Sequence, residues 1–167
     1  MARDLPGVLG GQARRPRAPP ARGQAVVSRQ TGELVLERVL PAPPEEVFAA
    51  WTRPERIAAW MSPVGRAEAE VDLREGGTFR VVMVGSDFRI EHTGTYLELD
   101  PPRRLVFTWV SPYTGPEPGR VTVEVHPHPE GTRLVLTHER LPDDVVESHR
   151  NGWTAMLERL AGALGPA

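Results

Sequence analysis

The sequence predicts an α+β domain in which a curved antiparallel sheet of seven strands lies against one long C-terminal helix. Three observations carry this. Val145, His149, Trp153, Met156, Leu160 and Leu164 recur at spacings of 4, 4, 3, 4 and 4, the apolar stripe of a helix. Upstream, the apolar period falls to two in seven separate runs, six of them after Arg66. The breaks between those later runs are rich in Gly, Pro and Asp, as hairpin turns require. A long helix with one apolar face needs a broad surface to lie on, and the strands supply it.

Residues 1 to about 30 mix Arg, Pro, Gly and Ala without an apolar period and are expected to be a disordered tail, leaving 31–167 as the folded domain. Glu33–Leu40 alternates, with Leu34, Leu36 and Arg38 on one side and Val35, Glu37 and Val39 on the other, and reads as the first strand. Pro44 opens a short helix to Trp51 with Val47, Phe48 and Trp51 on one face. Pro54 opens a second, with Ile57, Trp60 and Met61 as its apolar residues, and the pair is expected to clamp the sheet. Strands follow at Ala67–Leu73, Thr78–Val84, Phe88–Leu99, Leu105–Val110, Arg120–His126 and Thr132–His138. The loop Ser111–Gly119 is long and rich in Gly and Pro, a natural rim for a cavity. The last helix is expected over Pro142–Leu164, capped by Asp143 or Asp144 and ended by Gly165-Pro166.

Composition removes several function classes. The chain has no cysteine, which excludes disulfides, thiolate nucleophiles and cysteine-ligated zinc. All twenty basic residues are arginine, so Schiff-base chemistry on lysine and Walker-type phosphate loops are excluded too. Residues 1–30 hold six arginines against Asp4, whereas residues 31–167 hold fourteen against 21 acids. That balance argues against nucleic-acid binding by the domain. No run approaches the roughly 18 apolar residues of a membrane span, and no signal-peptide pattern is present, so the cytoplasm is the expected compartment.

Several words in this chain, in this order, resemble one family. They are Pro44-x-x-x-Val47-Phe48-x-x-Trp51, Pro54-Glu55-x-Ile57-x-x-Trp60, Asp72-Leu-Arg-Glu-Gly-Gly77-x-Phe79, Gly94-Thr-Tyr96-Leu-Glu98 and Pro101-Pro102-x-Arg104-Leu-Val-Phe107-Thr-Trp109. Thr137-His138-Glu139 and His149-x-x-Gly152-Trp153-x-x-x-Leu157 complete the set. Together they cover about residues 31–164 and resemble the START-related SRPBCC superfamily. Within it, the chain is similar to the domain of activators of the heat-shock-protein-90 ATPase and their bacterial relatives. The resemblance implies a helix-grip (START/Bet v-like) fold, and often an apolar cavity between sheet and helix that holds a hydrophobic small molecule. Members of the superfamily include lipid carriers, polyketide cyclases and chaperone regulators, so the fold alone does not give the function.

On this reading the ligand-binding residues are Phe79, Val81, Met83, Ile90, Tyr96, Phe107, Trp109, His149, Trp153 and Met156, which the alternation and the helical stripe aim at one another. The plain alternative is that they pack a solid core. His149, His92 and Tyr96, with Glu91 or Glu98 nearby, are the candidates for acid–base catalysis of the cyclase type. The five histidines show no metal-ligand spacing, and no metal or other cofactor is expected. The expected function is noncatalytic binding of a hydrophobic small molecule. An enzyme using the same pocket and a protein-interaction module, including a chaperone regulator, are the alternatives. The larger heat-shock-protein-90 activators carry a separate N-terminal domain, in whose place this chain has a basic tail. A protein partner and a homodimer are left open by the sequence.

Overall fold

The computed structural model describes residues 30–165; the expected tail, apart from Gln30, lies outside the described residues. The elements run β1 (Gly32–Leu40), α1 (Pro44–Thr52), α2 (Pro54–Ile57), β2 (Arg66–Val71), β3 (Thr78–Val84), β4 (Arg89–Asp100), β5 (Arg104–Trp109), β6 (Gly119–His128), β7 (Gly131–Leu141) and α3 (Val146–Leu164). The strands form one antiparallel sheet in the order β1-β7-β6-β5-β4-β3-β2. Only β1 leaves its sequence neighbours, crossing by way of α1 and α2 to the far edge of the sheet. This is the helix-grip fold that the sequence predicts.

Register decides which side chains share the inner face. Met83 pairs with Ile90, Val81 with His92 and Phe79 with Gly94 across β3–β4. Tyr96 pairs with Phe107 across β4–β5, and Phe107 with Val121 across β5–β6. Val121 then pairs with His138, and His138 with Leu34. A two-residue period carried through these partners lines the inner face with apolar groups and puts Arg80, Glu91 and Glu37 outside. Gly94 is the position where a backbone approach forbids a side chain: a Cβ there would overlap the Thr108 carbonyl and the Phe79 ring.

Against this face α3 buries Trp153, Met156, Leu157 and Leu160, and Glu147, Asn151, Thr154 and Glu158 face water as the stripe predicts. Burial of each large side chain contributes roughly 1.5–3 kcal/mol. The helix starts later than expected. Asp143–Val145 is a 3-10 turn, and α3 has no side-chain cap: neither Asp143 nor Asp144 bonds its first turn, and Val145 stands at the cap position. The Val145 carbonyl instead accepts from Ser148 Oγ at 3.0 Å and His149 Nδ1 at 2.9 Å. Other boundaries move as well. α2 is a single turn, although Trp60 and Met61 beyond it are fully buried. β2 ends at Val71, leaving Leu73 exposed, and β7 continues to Leu141 instead of stopping at His138. Among the described residues no helix is long and apolar enough to cross a membrane.

Candidate functional site

The grip is not uniformly hollow. Trp51, from α1, reaches its centre and stacks on Trp153 with ring centroids 5.9 Å apart and planes 26° from parallel. The same indole meets Trp60 edge-on at 4.6 Å and Phe107 at 6.4 Å. Phe79 packs at 5.3 Å against both Tyr96 and Phe107. The space left among Trp51, Met61, Phe79, Val81, Tyr96 and Phe107 is only about 10 Å³, too small for any organic ligand. Phe79, Val81, Tyr96 and Phe107, all expected to line a ligand cavity, are therefore packed as core at this end of the grip.

At the other end a cavity of about 360 Å³ remains between the sheet and the first half of α3. Its walls are Met83, Ile90, His92 and Trp109 from the sheet and Val145, Ser148, His149, Gly152, Trp153 and Met156 from the helix side. Pro63 and Tyr113 close the rim. Six of the ten expected ligand-binding residues (Met83, Ile90, Trp109, His149, Trp153 and Met156) thus meet around one space, together with the catalytic candidate His92. Tyr113 was missed as an individual residue, although the Ser111–Gly119 loop that carries it has the composition of a rim. The loop is held by Gln30, whose amide donates to the Thr114, Glu117 and Arg140 carbonyls and accepts from the Glu117 N–H. Pro63 had no signal beyond its place after the second helix. Arg159 fixes its loop by donating to the Ser62 and Gly65 carbonyls.

Three histidines lie in or behind this site, and burial keeps all of them neutral. His138 is fully buried in β7 and accepts a hydrogen bond at Nδ1 from Trp153 Nε1 at 3.0 Å. An indole N–H only donates, so the His138 proton is on Nε2. That nitrogen has no partner and faces Gly119, where a Cβ would come within 2.7 Å of it. Desolvation pushes His138 down to about 3, with a smaller push from His149. It is the histidine that ties helix to sheet. His149 is half-buried; desolvation lowers its pKa, and its bond to the Val145 carbonyl offsets part of that. Since a carbonyl only accepts, His149 carries its proton on Nδ1 and leaves Nε2 as a free base. The ring stands edge-on to His138 at 5.4 Å.

His92 lies over Trp109 with centroids 4.8 Å apart, its Nδ1 buried without a partner. Desolvation pushes it down to about 4. Tyr96 does not join these groups: it is buried in the aromatic core, where desolvation raises its pKa strongly. Glu91 and Glu98, expected as acid–base partners, project from the outer face and pair with Arg80 and Arg104. Among the described residues no cluster of His, Asp or Glu is arranged to hold a metal ion. A wider depression of about 720 Å³ lies on the outer face of the sheet around Arg80, Thr93 and Thr108. It is shallower and more polar in its walls, and Arg80 there is already paired with Glu91 and Glu70. The inner cavity is the better candidate, being apolar with few convergent polar groups and of ordinary ligand-site size.

A seven-stranded antiparallel sheet gripping a long C-terminal helix, with an apolar cavity at one end, defines the helix-grip class of domains. The chain belongs to the family described as "Activator of Hsp90 ATPase homolog 1-like protein", whose model matches residues 41–165. Solved structures agree. Protein CV1439 from Chromobacterium violaceum is 30% identical, with 81% of this chain and 99% of that one covered at a TM-score of 0.70. The AHSA1 protein SPO3351 from Silicibacter pomeroyi is also 30% identical, covering 80% and 97% at 0.69. CalU16 from Micromonospora echinospora is 28% identical, covering 80% and 76% at 0.63. No curated protein matches the chain.

Proposed function

We infer that this domain binds a hydrophobic small molecule, without transforming it, in the cavity between the sheet and the first half of α3. The observation that carries this is the contrast within one grip. One end is filled by Trp51 and its aromatic neighbours to a residual 10 Å³, whereas the other keeps about 360 Å³ walled by Met83, Ile90, Trp109, Trp153 and Met156. Interiors normally close such space, because an unfilled apolar cavity costs stability in proportion to its volume. An opening kept at one end, with a rim loop tied down by Gln30, has the form of a site. The cytoplasmic placement expected from the sequence belongs to the same reading.

Gly152 offers the test. It lies in α3 on the cavity wall, and a Cβ added there would meet nothing within 4 Å. Gly152→Leu therefore adds bulk at the cavity wall with no clash at its Cβ. The wild type should show saturable quenching of Trp109 and Trp153 emission by an apolar naphthalene probe, and Gly152→Leu should lose it while keeping its unfolding midpoint. Equal quenching of both proteins, or none in the wild type, would refute the assignment.

A second reading, catalysis of the cyclase type, is favoured by one observation: the tautomer of His149 leaves Nε2 as a base at the cavity wall. His149→Gln separates the two. Retained binding with lost turnover of an enolisable substrate would support catalysis, and unchanged turnover would remove it.

A further inference from the structure

On the helix side, the two polar side chains of the cavity wall are both spent as donors. Ser148 Oγ has given its proton to the Val145 carbonyl, and His149 Nδ1–H has gone to the same oxygen. What these two side chains have left to offer is lone pairs, on the Ser148 oxygen and on His149 Nε2. Permanent charge is missing from the walls. The chain has no lysine, and among the described residues lining the cavity there is no arginine and no carboxylate. An anionic head group, such as a fatty-acid carboxylate, would enter an apolar site with no cation to meet it, which is costly. An organic cation would likewise find no carboxylate. Trp109 and Trp153, packed on each other at 5.3 Å, and His92 against Trp109 give the cavity an aromatic wall on which a flat ring can lie.

We propose that the cavity selects an uncharged aromatic ligand carrying a hydroxyl proton, which it donates to His149 Nε2. This rests on the small-molecule binding role inferred above and adds the charge and hydrogen-bond sense of the ligand. Selectivity follows from the asymmetry of buried hydrogen bonds. A ligand that supplies the proton satisfies the imidazole, whereas one without it leaves the nitrogen desolvated and unpaired. His149 is here a binding residue with a fixed tautomer, and the Val145 carbonyl at the uncapped start of α3 is what fixes it.

The experiment is equilibrium dialysis of the full chain at neutral pH against three probes of similar shape: naphthalene, naphthol and naphthoate. Naphthol should bind about fivefold to tenfold more tightly than naphthalene, the factor expected of one net hydrogen bond, and naphthoate more weakly than either. In His149→Phe the naphthol preference should fall to unity while naphthalene binding persists, a ratio that loss of folding cannot imitate. Naphthoate binding best, naphthol and naphthalene binding alike, or an unchanged naphthol preference in His149→Phe would each overturn the proposal while leaving small-molecule binding intact. Failure of all three probes to bind would overturn the binding role and the proposal together.

Discussion

Acid should unfold this domain through its buried histidines, and the size of the effect follows from where they sit. The folded state holds His92 at about 4 and His138 at about 3, against 6.5 for a free side chain, and desolvation is the main cause for both. Each neutral ring therefore adds stability that is fully present above about pH 6.5. It is lost as pH falls toward the folded value, because the unfolded chain takes up a proton that the folded chain refuses. The slope is about 1.4 kcal/mol per pH unit per ring, so between pH 6.5 and 4.5 each removes roughly 2.7 kcal/mol and the pair roughly 5. That is comparable with the whole stability of a typical domain, about 5–15 kcal/mol. The assay is urea unfolding followed by tryptophan emission across this pH range, for the wild type and His92→Phe. Phenylalanine suits the site beside Trp109 and removes the unpartnered Nδ1. The variant should lose about 1.4 kcal/mol per pH unit of acid sensitivity below pH 6.5, and the two slopes should agree above it. Identical slopes throughout would refute the claim that His92 is held neutral by burial.

Three further outcomes are expected. Trp153→Phe strips the donor from His138 Nδ1 and leaves a second unsatisfied nitrogen on a fully buried ring, so urea unfolding should show a loss of about 1–3 kcal/mol beyond the change in side-chain volume. Gly94→Ala sets a Cβ against the Thr108 carbonyl and the Phe79 ring; the backbone cannot yield cheaply, and the thermal midpoint should fall by the equivalent of about 3 kcal/mol or more. Gln30→Ala removes three hydrogen bonds to Thr114 and Glu117 of the rim loop and one to the Arg140 carbonyl. Amide exchange over Ser111–Gly119 should accelerate while that of β6 and β7 stays unchanged.

Much of the fold was legible because it depends on period. Two-residue alternation placed Phe79, Val81 and Met83 inside and Arg80 outside, and a stripe at spacings of three and four placed Trp153 and Met156 against them. Boundaries were read less well where the local signal and the tertiary contact differ. Asp143 and Asp144 have the chemistry of caps, yet the chain enters α3 through a 3-10 turn that carries them past the helix start. Trp60 and Met61 look helical by spacing but are buried beyond the single turn of α2, where Trp60 Nε1 bonds the Ala50 carbonyl.

The sequence by itself determined the α+β class, the seven strands and their inner faces, the long gripping helix and the family. These follow from side-chain periodicity and turn chemistry, which are local. Only the tertiary structure decided which part of the grip is solid and which is open. That depends on how far Trp51 reaches from α1 across the sheet, and neither periodicity nor composition contains that distance. The histidines divide in the same way. Three histidines meet at the grip, but which one ties helix to sheet and which keeps a free nitrogen was set by one indole and one carbonyl. Those partners are 15 residues away for His138 and 4 for His149, and only folding brings the distant one within 3.0 Å.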